Sequence, residues 1–231
     1  MVSAILLGAG ESKRMGTDKL SLPWAGTTLL GHCLDILLRS DVREVIVVVG
    51  GHGTGQVEKR RGFEAKKVKV VRNRDYKEGM SSSIRRGIRS IDPESRGILI
   101  ALGDQPLLKT KTINALIEAF HRGKGSIFVP VHRGRRGHPV IFGRGFEEEL
   151  LKLTGDVGAR SIIARHPEKV VEVRTRSVAV VKDIDTRKEY GVLSLKQKAK
   201  KRKGKTQGAK LKAGMGKAPV SSRSDFWRGL R

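Results

Sequence analysis

The stretch Leu6-Leu7-Gly8-Ala9-Gly10-Glu11-Ser12-Lys13-Arg14-Met15-Gly16-Thr17-Asp18-Lys19 combines a glycine-rich loop with two spaced cations, Arg14 and Lys19. Glycines let a backbone approach a ligand closely and adopt positive φ. Successive N–H groups in such a loop cradle phosphate oxygens, and the cations neutralise phosphate charge that the amides cannot. A P-loop ends Gly-Lys-Ser/Thr, whereas this loop ends Gly16-Thr17-Asp18-Lys19. The dinucleotide fingerprint needs a third glycine where Lys13 stands, so Gly8-Ala9-Gly10 matches it only in part. The bland alternative is a glycine-rich turn with solvated basic residues.

Carboxylates and hydroxyls supply the rest of a candidate site. Asp104 ends the run Ile98-Leu99-Ile100-Ala101-Leu102-Gly103, where a carboxylate can hold Mg²⁺ against nucleotide phosphates, since magnesium takes one or two protein carboxylates plus phosphate oxygens and water. A turn or helix cap is its other reading. Asp183 and Asp185 follow the run Val178–Lys182. Alternate residues of a strand share one face, so both can face one metal; Asp185 can equally cap the helix that follows. Glu78-Gly79-Met80-Ser81-Ser82-Ser83 reads as a helix N-terminus with free N–H groups and a partial positive charge, and ordinary serine capping is compatible with the same pattern. Arg135, Arg136 and Arg160 can bind a phosphate or form a solvated basic face. His138 is a substrate contact or a structural histidine. No Cys/His cluster has zinc spacing, and no Gly-x-Ser-x-Gly elbow supports a hydrolase.

Positioning these groups falls to alternating strand-like and helix-like segments. Val2–Leu7, Glu44–Val49, Val68–Arg72, Gly97–Leu102, Ile127–Val131 and Pro139–Phe142 read as strands, and Val170–Arg174 and Val178–Val181 as a late pair. Helical spacing marks Thr27–Arg39, 54–61, Ser81–Ser90, Thr110–His121, 145–153 and 157–165. This alternation predicts an α/β domain, a three-layer α/β/α arrangement around a mainly parallel sheet covered on both faces. Ligands of such sheets sit beyond the carboxyl ends of the strands. The glycine loop, Asp104 and Asp183–Asp185 all follow predicted strands, so they are expected to converge.

Composition narrows the class. One cysteine, Cys33, excludes an intrachain disulfide and suits a reducing compartment. No apolar run approaches the roughly 20 residues that span a bilayer, and Met1-Val2-Ser3-Ala4-Ile5 has no basic n-region; a cytoplasmic, non-membrane protein is expected. The net charge is +25. From Ser194 onward 13 Lys and Arg face one acid, Asp225, so this tail supplies +12 and residues 1–193 keep +13. A basic body suits anionic substrates such as nucleotides. The expected organisation is therefore one domain, 1–193, and a basic tail, 194–231, that is disordered in isolation and available for non-specific polyanion binding.

The first loop resembles the signature Leu-x-Ala-Gly-x-x-x-Arg-Met-Gly-x-x-Lys of the MobA-like nucleotidyltransferases. Gly103-Asp104-Gln105-Pro106-Leu107 resembles that family's metal motif in the form of its cytidylyltransferase branch, and Asp183-Ile184-Asp185-Thr186 its Asp/Asn-x-Asp/Asn-Thr pattern. Gly79–Ser83 is similar to its Gly-Met/Leu-Ser-Ser-Ser segment. Arg136-Gly137-His138-Pro139-Val140 and Gly155–Arg160 are similar to acceptor-side segments of that branch. Two departures stand out: Gly8 where the common loop has alanine, and Arg187 where the family continues with proline. Over roughly residues 2–190 the resemblance is to the molybdenum cofactor cytidylyltransferases. It implies a Rossmann-like nucleotidyltransferase fold, the nucleotide-diphospho-sugar transferase fold, and Mg²⁺-dependent transfer of CMP from CTP to the terminal phosphate of molybdopterin cofactor, releasing pyrophosphate. It implies Arg14, Lys19 and Asp104 as catalytic residues. It implies Leu7, Gly8, Ala9, Gly10, Lys19, Gly79, Met80, Ser81, Ser82 and Ser83 around the nucleotide, and Arg136, His138 and Arg160 on the acceptor side. It implies Asp104, Asp183 and Asp185 at the metal, and an apo-hydroxylase of the xanthine dehydrogenase type as recipient of the product. Transfer of GMP, transfer to a sugar phosphate or another small phosphorylated acceptor, and nucleic-acid binding through the tail are the alternatives.

Overall fold

A run of apolar residues with no polar alternation can only be stable as a strand if both of its faces are covered. Val2–Gly8, strand β1, is such a run, and all but its last residue are buried. In the computed structural model, which describes residues 1–10, 15, 18–51, 67–123, 125–156, 158–197 and 199, β1 lies inside the main sheet. The other strands are β2 (Pro23–Trp24), β3 (Thr27–Thr28), β4 (Val45–Val49), β5 (Val68–Arg72), β6 (Gly97–Leu102), β7 (Ile127–His132), β8 (Arg135–Arg136), β9 (Val140–Gly143) and β10 (Val170–Arg174). The sheet order is β10-β7-β9-β6-β1-β4-β5, with β8 paired to β7, and β2-β3 form a separate hairpin. β1 runs parallel to β4 and β6, with Leu6 opposite Val47 and Ala101. β9 is antiparallel to both β6 and β7, so the sheet is mixed but mainly parallel.

Helices cover both faces. They are α1 (Leu29–Leu38), α2 (Met80–Ile88), α3 (Thr110–Arg122), α4 (Glu147–Leu151) and α5 (Arg160–Arg165). One core joins Ile5, Ile46 and Ile100 of the sheet to Ile84 and Ile88 of α2, Leu150 of α4 and Ile162 of α5. The opposite face carries the buried alternate residues Ala4, Leu6 and Val47, with the apolar side of α1. The chain divides into Met1–Tyr190, which holds every element above, and Gly191–Arg231. Of the second unit, 191–197 and 199 are described, and they are helical. No helix among the described residues is long and apolar enough to cross a membrane.

Three expectations change. The helix predicted from Thr27 starts at Leu29: Ala25 and Gly26, both at positive φ, make a two-residue hairpin turn that commits Thr27 and Thr28 to a strand. Thr28 then caps α1, its Oγ1 accepting from the Gly31 N–H at 3.0 Å. Val178–Val181 is a 3₁₀ turn and not a strand. Its β-branched residues fit a strand, but β7 is already paired with β10 on one edge and with β9 and β8 on the other. Helix α4 is shorter than 145–153 because Arg144–Phe146 forms a 3₁₀ turn ahead of it. The helix expected over 54–61 and the tail from 201 lie outside the described residues.

Candidate active site

The loops after β1 and β6 and the segment after Val181 meet at one point. Gly103 N–H donates to the Leu7 carbonyl at 2.9 Å, which extends the β1–β6 ladder to the site's edge. Asp18 begins a short 3₁₀ turn, Lys19–Ser21, by accepting from the Leu20 N–H. That turn aims the Lys19 ammonium at Asp104 Oδ2, 2.7 Å away, and at Asp185 Oδ1, 3.0 Å away. The side chains of Lys19 and Asp104 are 14% and 17% exposed and that of Asp185 is 37% exposed, so the first pair is well shielded from water. Burial works against the Lys19 charge, yet Asp104 and Asp185 together outweigh it and hold the ammonium above its ordinary pKa. Burial raises the Asp104 carboxyl above the usual range; Lys19 pulls it down, and Asp183 and Asp185 push it up again. One ammonium thus serves two carboxylates directly, and Asp183 adds its charge to Asp104 from nearby.

Asp183 and Asp185 reach this point by a different route from the one expected. Residues 182–185 are not a strand, so a shared strand face does not align them. Ile184 instead donates its N–H to the Asp104 carbonyl at 3.0 Å and buries its side chain, and the flanking aspartates are left on the side of the site. Asp104 Oδ1 is buried and, like Gln105 Oε1, has no hydrogen-bond partner among the described residues. Among those residues no three carboxylates or imidazoles stand close enough to enclose a metal by themselves. An open carboxylate oxygen and more carboxylates than the one ammonium neutralises do fit a divalent cation that completes its shell with phosphate oxygens and water.

The start of α2 is built otherwise than expected of an anion-binding terminus. Gly79 sits at φ 102°, and a Cβ there would stand 2.8 Å from the Gly155 backbone. The Met80 N–H donates to Asp156 Oδ1 at 2.9 Å and the Ser81 N–H to the Gly155 carbonyl at 3.2 Å. The free donors are therefore already engaged, and Asp156 already supplies the negative charge that the helix dipole favours. Ser81, Ser82 and Ser83 are buried. Ser81 Oγ donates to the Thr154 carbonyl and Ser82 Oγ to the Gly79 carbonyl, while Asn73 Nδ2 donates to Ser82 and Ser83. The three hydroxyls hold the loop–helix joint together rather than facing a ligand, and of this segment Met80 is the exposed side chain.

Met80 lines a cavity of about 260 Å³ together with Arg136, His138 and Arg160, so the acceptor-side residues do come together. Its floor is apolar, with Ile100, Val129, Val140 and Phe142 from the sheet and Ile163 from α5. Burial pushes the His138 imidazole down to about 4, helped by Arg160 and opposed by Asp183; at neutral pH it is uncharged. Arg136 is paired with Glu172, Nε to Oε1 2.8 Å. Asp183 is felt by Asp104 on one side and by His138 on the other, and this links the charged cluster to the cavity.

In the first loop, Leu7 and Ala9 are buried and Gly10 is exposed with open space around it. A Cβ on Gly8 would meet Leu30 Cδ1 at 3.0 Å and the Val48 carbonyl at 3.2 Å. The departure at Gly8 therefore suits close packing against α1 and β4. Arg14 lies outside the described residues.

A model of the MobA-like NTP transferase domain matches residues 4–170. The chain belongs to that family. It is 31% identical to nicotine blue oxidoreductase of Paenarthrobacter nicotinovorans over 80% of this chain and 92% of the relative. It is 23% identical to the molybdenum cofactor cytidylyltransferase of Escherichia coli K12 over 82% and 93%. Among solved structures, Rv0371c of Mycobacterium tuberculosis H37Rv superposes with a TM-score of 0.72 at 29% identity, covering 84% of this chain and 96% of that one. The same protein has also been solved in complex with manganese. The fold of this MobA-like domain is the nucleotide-diphospho-sugar transferase fold, and its activity class is nucleotidyl transfer.

Three residues of this MobA-like chain have roles that the sequence did not assign. Thr186 and Glu189 form a reciprocal cap: Glu189 Oε2 accepts from the Asp185 and Thr186 N–H groups at 3.1 Å, and the Glu189 N–H donates to Thr186 Oγ1 at 3.2 Å. The spacing Thr-x-x-Glu is a capping-box signal, so the sequence did carry it. Because Thr186 takes the cap, Asp185 keeps its carboxylate for Lys19. Arg187, standing where the family has proline, donates Nε–H to the Met15 carbonyl at 3.0 Å and ties the nucleotide loop down. No local pattern signals a contact of that range.

Proposed function

We propose that this protein transfers CMP from CTP to the terminal phosphate of molybdenum cofactor and releases pyrophosphate. What carries the reading is Asp183, whose charge acts both on Asp104 of the Lys19 cluster and on His138 of the cavity shared with Arg136 and Arg160. A donor site for a triphosphate and an acceptor site with an apolar floor and two guanidinium groups are thereby neighbours. A flat ring suits that floor, and Arg136 and Arg160 suit an anionic group beside it.

In this reading an acceptor phosphate oxygen bonds to the α-phosphorus as the bond to the bridging oxygen of the β-phosphate breaks, and pyrophosphate leaves with that electron pair. The acceptor is already an anion, so no strong base is needed, and catalysis is positioning and charge neutralisation. Lys19 exchanges a carboxylate oxygen for phosphate oxygens and holds them. The backbone of Leu7–Gly10 and Arg14 flank the triphosphate, and Gly79–Met80 border the nucleoside. His138, neutral at pH 7, hydrogen-bonds to the acceptor without adding charge. Asp104 and Asp183, with Asp185 beside them, would hold a divalent cation, magnesium in our reading, whose chemistry is to neutralise charge on the phosphate oxygens. The product is expected to pass to an apo-hydroxylase of the xanthine dehydrogenase type.

The test is pyrophosphate release with Mg²⁺ and each of the four NTPs, with and without molybdenum cofactor. Release that needs both CTP and the cofactor supports the reading. Release that follows GTP moves the protein to guanylyl transfer, and no release with any NTP overturns it.

A further inference from the structure

A second cavity, of about 410 Å³, lies between α2 and the end of β5, the last strand of the sheet among the described residues. Five guanidinium groups line it: Arg72 at the end of β5, Arg74 in the loop after it, Arg85 and Arg86 in α2, and Arg89 just past its last turn. Asp75 is the one carboxylate among its described lining residues. Arg85 is held by Glu78 at 3.1 Å and by the Leu153 carbonyl, and Arg72 by the Gly51 carbonyl at 3.0 Å. Arg74, Arg86 and Arg89 make no side-chain ion pair or hydrogen bond among the described residues.

Basic residues in the last turn of a helix complement its dipole, which accounts for some of this charge. It does not account for Arg72 and Arg74, which sit on a strand and the loop after it. Nor does it favour Arg85 and Arg89 one turn apart, where like charges repel. All five cations are arginines, although the chain carries 23 lysines. A planar guanidinium binds phosphate through two parallel N–H···O bonds, which an ammonium cannot do. Asn73 and Ser82, the neutral polar groups of the lining, are bonded to each other at 2.9 Å, so recognition falls to the arginines.

We infer that this groove binds a small, multiply phosphorylated anion outside the transfer site. The volume is that of a small-ligand pocket, about 300–1,000 Å³, and it is walled by charge rather than by aromatic rings on which bases would stack. A single-stranded nucleic acid wants such rings along a continuous track; none of the described lining residues is aromatic.

The probe is inorganic tripolyphosphate, titrated calorimetrically into the full chain. Arg86→Gln/Arg89→Gln is the test variant. Lys201→Gln/Lys203→Gln, with the same loss of charge in the tail, is the control, and Lys19→Ala removes the contribution of the transfer site. Arg86 and Arg89 are exposed, and an unchanged thermal melt verifies folding. The expected result is a binding phase that survives Lys19→Ala and the tail variant within twofold and weakens at least tenfold in Arg86→Gln/Arg89→Gln. Equal weakening in the groove and tail variants would reduce the effect to overall charge and overturn the inference. A single phase lost with Lys19→Ala alone would overturn it as well. Tighter binding of a single-stranded 20-nucleotide DNA than of tripolyphosphate, with the same dependence on Arg86 and Arg89, would replace the small ligand by nucleic acid.

Discussion

Lowering the pH should destabilise this domain through one imidazole. His138 lines the acceptor cavity, with Arg136 and Arg160 as neighbouring cations and Asp183 as the nearby carboxylate. Burial and Arg160 lower its pKa from 6.5 to about 4. The unfolded chain therefore binds a proton that the folded chain refuses between those two values, and stability rises with pH across that window. The effect is absent above about pH 7.5, grows as pH falls through 6.5, and is complete below about pH 4. At about 1.4 kcal/mol per unit, the full difference is about 3 kcal/mol. At about pH 5 the unfolded imidazole is almost fully charged and the folded one barely so, which leaves about 2 kcal/mol. For a domain of this size that lowers Tm by about 4–8 °C. Other groups titrate in the same range, so the assay is a difference: denaturant unfolding of the wild type and of His138→Gln from pH 4.5 to 7.5. The wild type should lose about 2 kcal/mol more than the variant on going from pH 7.5 to 5. Two parallel curves would show that the imidazole is solvated and would refute the account of the cavity given above.

Four further outcomes follow from the geometry. Lys19→Ala and Asp104→Ala should each lower turnover by about 100-fold or more with an unchanged far-UV circular dichroism spectrum; near-normal turnover in both would end the case for this cluster. Asp156→Ala should lose about 1 kcal/mol through the uncapped Met80 N–H, and Asp156→Asn should restore it, read from urea midpoints. Gly103→Ala places a Cβ 2.9 Å from the Leu7 carbonyl and from Leu30 Cδ1, and should cost about 1–3 kcal/mol, as thermal melting would show. Thr186→Ala should cost about 1 kcal/mol and also lower turnover by drawing Asp185 toward the vacant cap, while Thr186→Ser keeps both; unchanged turnover in Thr186→Ala would mean Asp185 needs no such release.

The strands were legible because burial on both faces leaves an unmistakable apolar run, as in Val2–Gly8 and Val45–Val49. The same signal misled at Val178–Val181, since residue type states what a segment prefers but not whether a neighbouring ladder is free to pair with it. Lys19 and Asp104 could be placed because each follows a strand, and the carboxyl ends of parallel strands lie together. The fate of the three serines could not be read. A hydroxyl at a helix start serves a ligand or the backbone according to what packs above it, and here Gly155 and Asp156 arrive from a point 73 residues or more along the chain. The cavity was equally hidden. Periodicity marks Ile100, Val129 and Phe142 as buried, but not that their packing leaves space beneath Arg136 and Arg160.

The convergence of Asp183 and Asp185 shows how a correct expectation can rest on the wrong element. A strand would have aimed both carboxylates by its pleat. In its absence one backbone bond, from Ile184 to the Asp104 carbonyl, sets the distance, and the buried Ile184 side chain sets the orientation. Thr186 and Glu189 relieve Asp185 of capping, and Arg187 couples the same turn to the loop at Met15. The six residues after Asp183 thereby fix the third carboxylate, the helix start and the nucleotide loop together. Proline at 187 would suit the first helical position but would remove the bond to Met15. The arginine thus exchanges a preformed helix start for a direct tie to the loop that carries Lys19, and the position of that ammonium between its carboxylates is what the proposed chemistry depends on most.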